Sequence, residues 1–203
     1  MAHQHVAGKH PRSNARWSPL PYHLPSWAIR FGAHLDRELQ FQHWIAISTK
    51  NSFVRGDHLY PAHYALLYFT KGAPSHFKRP KVNPPACRHC GQLVKDYGGY
   101  RRIIEEKRLN LSDFWDDLSP VRHRNRKYLT TNELPSLLFE RVIEISGSRD
   151  LLYVDPFAGS GSGVIAAARA GLRFQACDFI EKNCLIICER LDELKTRQSR
   201  EGR

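Results

Sequence analysis

Apolar positions divide the chain into two regular stretches with an irregular one between them. In the first stretch, apolar residues recur at helical spacing over about residues 26–39, which predicts a helix. Two runs rich in aromatic and β-branched residues follow, at 41–49 and 62–71, and each predicts a buried strand. Beyond residue 72 the apolar periodicity is lost and prolines, glycines and charged residues predominate, which indicates an irregular insertion.

Regular structure returns after residue 131. Asn132 is a predicted N-cap for a helix with one apolar face, and Gly147 is predicted to close that helix. Strand and helix patterns then alternate over residues 150–155, 163–170, 172–178 and 181–195. This alternation is typical of a parallel α/β sheet.

Positive charge is concentrated in the irregular stretch. The chain has 31 Lys and Arg against 20 Asp and Glu, which gives a net charge of +11 and a pI near 9.7. Residues 72–127 alone hold 13 Lys and Arg against 6 Asp and Glu. A clustered positive charge favours nucleic acid as the partner over a merely basic protein surface.

Other features of the composition restrict the cellular setting. No apolar run is long enough to span a membrane, and the polar, basic start of the chain has no apolar segment of a secretory signal. The five cysteines are an odd number with uneven spacing, which favours a reducing compartment over a disulfide framework. We therefore expect a cytoplasmic protein.

The stretch LLYVDPFAGSGSG, which starts at residue 151, places a glycine loop between a predicted strand and a predicted helix. A Walker loop needs a lysine, which residues 151–171 do not contain, and a dinucleotide fingerprint needs a third glycine where Val164 stands. What remains is a site for a nucleoside without phosphates. Asp155 could accept a hydrogen bond from a cationic amine. Asp178, at the end of the next strand, could bind both ribose hydroxyls.

DPFAGSGSG followed by CDFIEKN resembles motifs I and II of the amino-methylating DNA methyltransferases, which modify cytosine N4 or adenine N6. Ser162 replaces the threonine that is usual in motif I. The resemblance spans about residues 20–195 and implies a Rossmann-like S-adenosylmethionine-dependent methyltransferase sheet, in the permuted class whose cofactor motifs come late. It implies the following cofactor-binding residues: Asp155, Pro156, Phe157, Ala158, Gly159, Ser160, Gly161, Asp178, Phe179 and, from the segment called motif X, Asn132.

One motif of the family has no intact match in this chain, the catalytic motif IV. This motif reads Asp, Asn or Ser, then Pro-Pro and an aromatic residue, and no such tetrapeptide occurs in the chain. The nearest match is SPLPY, in which Ser18, Pro21 and Tyr22 are the candidate catalytic residues. In one interpretation, SPLPY is a degenerate motif IV. In the other, which we favour, motif IV is absent, and the chain is a truncated or split enzyme that needs a second chain or self-association.

The irregular stretch lies where the family carries target recognition, which implies contact with double-stranded DNA. The candidate DNA-binding residues are Arg79, Arg88, Arg101, Arg102, Arg122, Arg124, Arg126 and Lys127. Cys87 and Cys90 have the spacing of half a zinc site, but no second pair follows, so free thiols are favoured over zinc.

These features predict a division of the chain into five parts. They are a basic arm (1–17), the catalytic side of the sheet (18–71), the basic insertion (72–127), the cofactor-binding part (128–196) and a polar tail (197–203).

Overall fold

The computed structural model describes residues 24–48, 56–57, 59–60, 62–74, 76–87, 89–95, 97–118, 121, 128, 133–147 and 150–201. The helices in these residues are α1 (Pro25–Leu35), α2 (Arg101–Lys107), α3 (Ser136–Ser146), α4 (Ser162–Arg169) and α5 (Glu181–Glu201). The strands are β1 (Gln40–Ser48), β2 (His63–Thr70), β3 (Lys81–Val82), β4 (Leu109–Asn110), β5 (Phe114–Trp115), β6 (Leu152–Asp155) and β7 (Arg173–Ala176). None of these helices is both long enough and apolar enough to cross a bilayer.

The larger sheet has the order β2-β1-β5, with β1 antiparallel to β2 and parallel to β5. The two strands expected from the aromatic runs are confirmed as β1 and β2. Helix α1 covers one face of this sheet, where Ala28 packs with Leu67 and Phe69. It ends at Leu35, short of the predicted 39, and Leu39 still packs against the same cluster from the turn that follows.

Helix α3 lies between the larger sheet and helix α4. Its residues Leu138, Val142 and Ile145 pack in the cluster that also holds Trp115 of β5 and residues of β1 and β2. Ile143 of α3 packs instead with Ala166 and Ala167 of α4, and Phe139 contacts both clusters. Apolar residues on two sides of one helix thus join the two halves of the core.

The predicted N-cap of α3 is wrong. The helix begins at Ser136 with Pro135 in an extended conformation as its cap, and Asn132 lies outside the described residues. The ring of a proline disfavours helical geometry in the residue before it, so Leu134 is unsuited to a helical turn and the helix begins after Pro135. Gly147 is confirmed as the residue that ends the helix.

Strands β6 and β7 form a second, parallel sheet that carries α4 and α5. This confirms the strand and helix alternation predicted for the last third of the chain, although α5 runs on to Glu201. Among the described residues, β7 is the only strand paired with β6. Leu152 and Val154 of β6 are 47% and 51% exposed, on the face opposite Tyr153 and Asp155.

The irregular stretch contains more order than its sequence predicts. It holds α2, the antiparallel pair β3–β4, and β5, which adds a third strand to the larger sheet. Trp115 of β5 is buried beneath the guanidinium of Arg141, 5.4 Å from the ring centroid, and Arg141 in turn donates two hydrogen bonds to Asp117. Strands of two residues are too short to produce a periodic pattern, which is why the sequence analysis missed them.

Candidate active site

The glycine loop connects the end of β6 to the start of α4, beside the carboxyl end of β7. Gly159 and Gly161 have φ values of 53° and 79°, a left-handed conformation that glycine adopts without steric cost. The Ala158 amide donates to the Cys177 carbonyl at 3.0 Å, and the Cys177 amide donates to the Asp155 carbonyl at 3.0 Å. The loop therefore lies at the edge of a parallel sheet where such folds bind ligands.

Asp155 is buried and shapes the loop from within. Its carboxylate accepts the Phe157 amide at 3.1 Å and the Tyr153 hydroxyl at 3.0 Å. Burial raises the pKa of Asp155, these hydrogen bonds oppose the rise, and the negative charge of Asp178 adds to it. Because both carboxylate oxygens bind protein groups, the direct contact with a ligand amine expected from the sequence remains a prediction.

Asp178 is half-buried and joins the loop to the start of α5. One oxygen accepts the Gly159 amide at 2.8 Å, and the other accepts the Ile180 amide at 2.9 Å and the Asn183 side-chain amide at 3.0 Å. Slight burial alone would raise the pKa of Asp178, but these hydrogen bonds outweigh it and lower the pKa. A carboxylate has about four acceptor positions, so about one is left for a ligand hydroxyl.

Gly161 and Gly163 each have a close packing neighbour. A Cβ at Gly161 would lie 2.6 Å from Ile187 of α5, and a Cβ at Gly163 would lie 2.0 Å from the Tyr153 hydroxyl. Both glycines therefore allow α4 to approach its neighbours closely. Cofactor contact at Gly161 remains a prediction, and a substitution there would disturb α5 as well.

The other predicted loop residues fall into two groups. The side chains of Ala158 and Ser160 are buried in the protein, so a ligand could reach these positions only through their backbone. The side chains of Phe157 and Phe179 are 80% and 92% exposed, and they lie close in sequence to the two acidic residues that shape the loop. Pro156 is exposed beside them.

Arg190 of α5 is part of the site and was missed by the sequence analysis. Its guanidinium donates to the Ser160 carbonyl at 2.5 Å and lies 3.8 Å from the carboxylate of Glu133. The ring of Tyr128 covers it at 4.2 Å. The spacing of Arg190 three residues after the buried Ile187 was the available signal, because it puts the charge on the inner face of α5.

Only part of the predicted DNA-contacting set falls in the described residues. Arg79, Arg101 and Arg102 are exposed; Arg79 lies over the ring of Phe77, and Arg101 pairs with Glu105 at 3.1 Å. The remaining candidates for DNA contact and catalysis lie outside the described residues: Arg88, Arg122, Arg124, Arg126, Lys127, Ser18, Pro21 and Tyr22.

A cavity of about 440 Å³ lies beside Arg79, between β1 and the base of the irregular stretch. Its wall includes the stacked rings of His43, Tyr68 and Phe77. None of its lining residues belongs to the glycine loop, β6 or β7. We therefore place the candidate active site at the loop, where the acidic and aromatic residues converge, and not in the cavity.

Cys87 and Cys90 lie on a tight turn at the end of a short hairpin. The Gly91 amide donates to the Cys87 carbonyl at 2.8 Å, and the Cys87 amide donates to the Gln92 carbonyl at 2.7 Å. Hydrogen bonds from the backbone of Cys90 and His89 lower the pKa of the Cys87 thiol. Within the described residues, no group of three or more potential ligands surrounds a metal position.

Comparison with known proteins identifies the family. The profile of the family described as "DNA methylase" matches residues 13–189. The chain belongs to this family. It is 38% identical over 171 residues to the type II methyltransferase M.BamHI of Bacillus amyloliquefaciens. The family resemblance predicted from the two loop motifs is thus confirmed.

This chain shares its fold with solved structures. The M1.HpyAVI–SAM complex superposes with a TM-score of 0.55 at 16% identity, over 82% of this chain and 70% of that one. TTHA0409 of Thermus thermophilus, described as a putative DNA modification methylase complexed with S-adenosyl-L-methionine, gives 0.50 at 20% identity, over 82% and 59%. The predicted α/β fold of the methyltransferase kind is confirmed.

The match to M.BamHI covers 84% of this chain but 40% of that protein. The methylase chain therefore spans less than half of the length of this relative.

Proposed function

We propose that this chain binds S-adenosylmethionine in the glycine loop and acts as part of a cytoplasmic DNA methyltransferase. The reaction transfers a methyl group to the exocyclic amine of cytosine (N4) or adenine (N6), within a restriction-modification system. The observation that carries the proposal is the loop between β6 and α4, which Asp178 ties to the start of α5. Homology to M.BamHI supports the same function.

The residues of the loop fit this cofactor. The exposed rings of Phe157 and Phe179 offer apolar faces for an adenine, and the remaining acceptor position of Asp178 suits a ribose hydroxyl. The carboxylates of Asp155 and Asp178 place negative charge where a sulfonium and an ammonium group would bind. When bound, the cofactor supplies an electrophilic methyl group.

We expect cofactor affinity to depend on Asp178. Replacing Asp178 with alanine removes a charged acceptor, and such a loss should weaken binding of S-adenosylhomocysteine about 10- to 100-fold. Titration calorimetry measures this affinity. Asp192→Ala is the matched control, because Asp192 is an exposed acid on α5 that pairs only with Lys195 among the ion pairs of the described residues.

A second ligand separates the two roles of Asp178, since its carboxylate also braces Gly159. If the carboxylate binds ribose, Asp178→Ala should weaken S-adenosylhomocysteine far more than its 2′,3′-dideoxy analogue. Equal losses for both ligands would limit Asp178 to bracing the loop. Unchanged affinity for both would refute the assignment of the cofactor to this loop.

The proposal also includes a partner that completes the sheet. Within the described residues, the free edge of β6 and the exposed Leu152 and Val154 leave room for another strand and for a layer that covers them. A second chain carrying motif IV, or a second copy of this chain, would fill that place. The alternative function, a cofactor- and DNA-binding chain without catalysis, also predicts this open edge.

The basic stretch of residues 72–127 is the proposed DNA-facing element. Arg79 precedes β3, and Arg101 and Arg102 begin α2, which leads into β4. Since β3 pairs with β4, these arginines belong to one small unit of the chain. Their exposure suits contact with phosphates, and phosphate contacts position a protein without reading sequence.

We expect DNA binding to be salt-dependent through this unit. Neutralising Arg101, Arg102, Arg122 and Arg124 should reduce the slope of log affinity against log salt by roughly 0.9 for each phosphate that is no longer bound. Fluorescence anisotropy with a labelled duplex between roughly 50 and 200 mM salt gives this slope. An unchanged slope in the quadruple variant would move the DNA-facing element elsewhere; Arg169→Gln and Arg173→Gln, outside the stretch, are the controls.

A further inference from the structure

Arg190 lies at a point where three segments of the methylase chain meet. Its side chain is only 10% exposed, and the Glu133 carboxylate beside it is 4% exposed. Burying a charge is costly unless it is paired and hydrogen-bonded, so such an arrangement persists only when its partners stay in place. The partners of Arg190 are Ser160 of the glycine loop, Ser162 at the start of α4, and Tyr128 and Glu133.

Arg190 fixes one peptide plane of the glycine loop. Its Nη1 atom donates to the Ser160 carbonyl at 2.5 Å, while the Gly161 amide donates to the Ala158 carbonyl at 2.8 Å. In a trans peptide the C=O and N–H groups point in opposite directions. The two hydrogen bonds therefore hold the Ser160–Gly161 peptide in a single orientation, with Arg190 on one side and the loop backbone on the other.

The same guanidinium also contacts two described residues that precede α3, Tyr128 and Glu133. Glu133 lies 3.8 Å from Arg190 through one oxygen, and its other oxygen accepts the Tyr128 amide at 2.9 Å. The Tyr128 ring then lies against the guanidinium at 4.2 Å, a cation–π contact. Tyr128 and Glu133 are thus docked onto Arg190, and Arg190 is docked onto the loop.

We propose that cofactor binding at the glycine loop and docking of Tyr128 and Glu133 are one linked equilibrium, with Arg190 as the positioning residue that links them. The inference rests on the proposed function of the loop. A ligand that needs the loop in its held conformation favours the docked state, and docking favours the ligand to the same extent because linkage is reciprocal. Arg190 acts without touching the cofactor.

The first test measures ligand affinity. Arg190→Lys keeps the charge but loses the planar guanidinium that lies against the Tyr128 ring and whose Nη1 atom approaches both Ser160 and Glu133, so we expect S-adenosylhomocysteine to bind about 10-fold more weakly. Glu133→Gln keeps the shape of the side chain and should weaken binding by a smaller factor. Arg197→Lys, the same substitution on an exposed position of α5, should leave affinity unchanged. Circular dichroism verifies that each variant is folded.

The second test detects the link itself. In the unaltered chain, saturating S-adenosylhomocysteine should slow hydrogen exchange of the Tyr128 amide at least about fivefold, a typical size for coupling between sites. In Arg190→Lys, also saturated, this slowing should disappear. A purely structural role for Arg190 would lower stability in both states and leave the ligand-induced slowing intact.

The outcomes separate the two proposals. If the unaltered chain does not bind S-adenosylhomocysteine, both the proposed function and the link fail. If it binds but hydrogen exchange of the Tyr128 amide is not slowed, or is slowed equally in Arg190→Lys, only the link is overturned. Unchanged ligand affinity in Arg190→Lys overturns the positioning role as well.

Discussion

Replacing Gly163 with alanine should destabilise this chain by about 1–2 kcal/mol. The new Cβ would lie 2.0 Å from the Tyr153 hydroxyl and 2.9 Å from the ring of Phe139. Overpacking of this kind costs about 1–3 kcal/mol or more, and the gain of about 1 kcal/mol from alanine in a helix does not offset it fully. Urea unfolding followed by circular dichroism measures the change in the free energy of unfolding.

Two further variants make this prediction specific. Gly32→Ala, in helix α1, places its Cβ 3.7 Å from Leu67, an ordinary contact, and should be neutral or slightly stabilising. Adding Tyr153→Phe to Gly163→Ala removes the closest clashing atom, so the double variant should recover part of the loss. If the effects of the two substitutions are simply additive, the close approach of α4 to β6 is not what requires glycine at 163.

The long elements of the fold were predictable from the sequence because each carries a periodic pattern or a clear end signal. Strand β2 shows an apolar run of strand length, and Gly147 stops α3 where expected. Elements without a pattern were not predictable. The two-residue strand β5 joins the larger sheet through Trp115, and only tertiary packing beneath Arg141 reveals that a tryptophan in a charged segment belongs to the core.

The candidate site was predictable in its location and less so in its roles. The motif DPFAGSGSG placed a glycine loop between a strand and a helix, and the structure has that loop between β6 and α4. It did not show that Asp155 turns inward to Tyr153 or that Gly161 accommodates Ile187. Arg190 was missed because a single arginine in a long charged helix looks like a solvent-facing residue unless its spacing from the apolar positions of that helix is considered.

The purified chain of 203 residues should bind S-adenosylhomocysteine but transfer methyl groups to DNA very slowly. The exocyclic amine of a base is a poor nucleophile, because its lone pair is conjugated into the ring. Motif IV supplies acceptors for the amine hydrogens and an aromatic face for the flipped base, and this chain contains no intact copy of it. Removing one preorganised polar group of this kind from an active site slows an enzyme about 100- to 1,000-fold.

The measurement is transfer of labelled methyl groups to mixed genomic DNA, with and without the part of M.BamHI that the methylase chain does not match. If that part carries an intact motif IV, we expect it to raise transfer at least about 100-fold, because it would supply the acceptors that this chain lacks and could pair with the open edge of β6. Asp178→Ala in the mixture should abolish the rise, which ties the activity to this cofactor loop. Rapid transfer by the chain alone would show the opposite, that SPLPY is a working motif IV. Tyr22→Ala would then stop the reaction, since the flipped base would lose its stacking face.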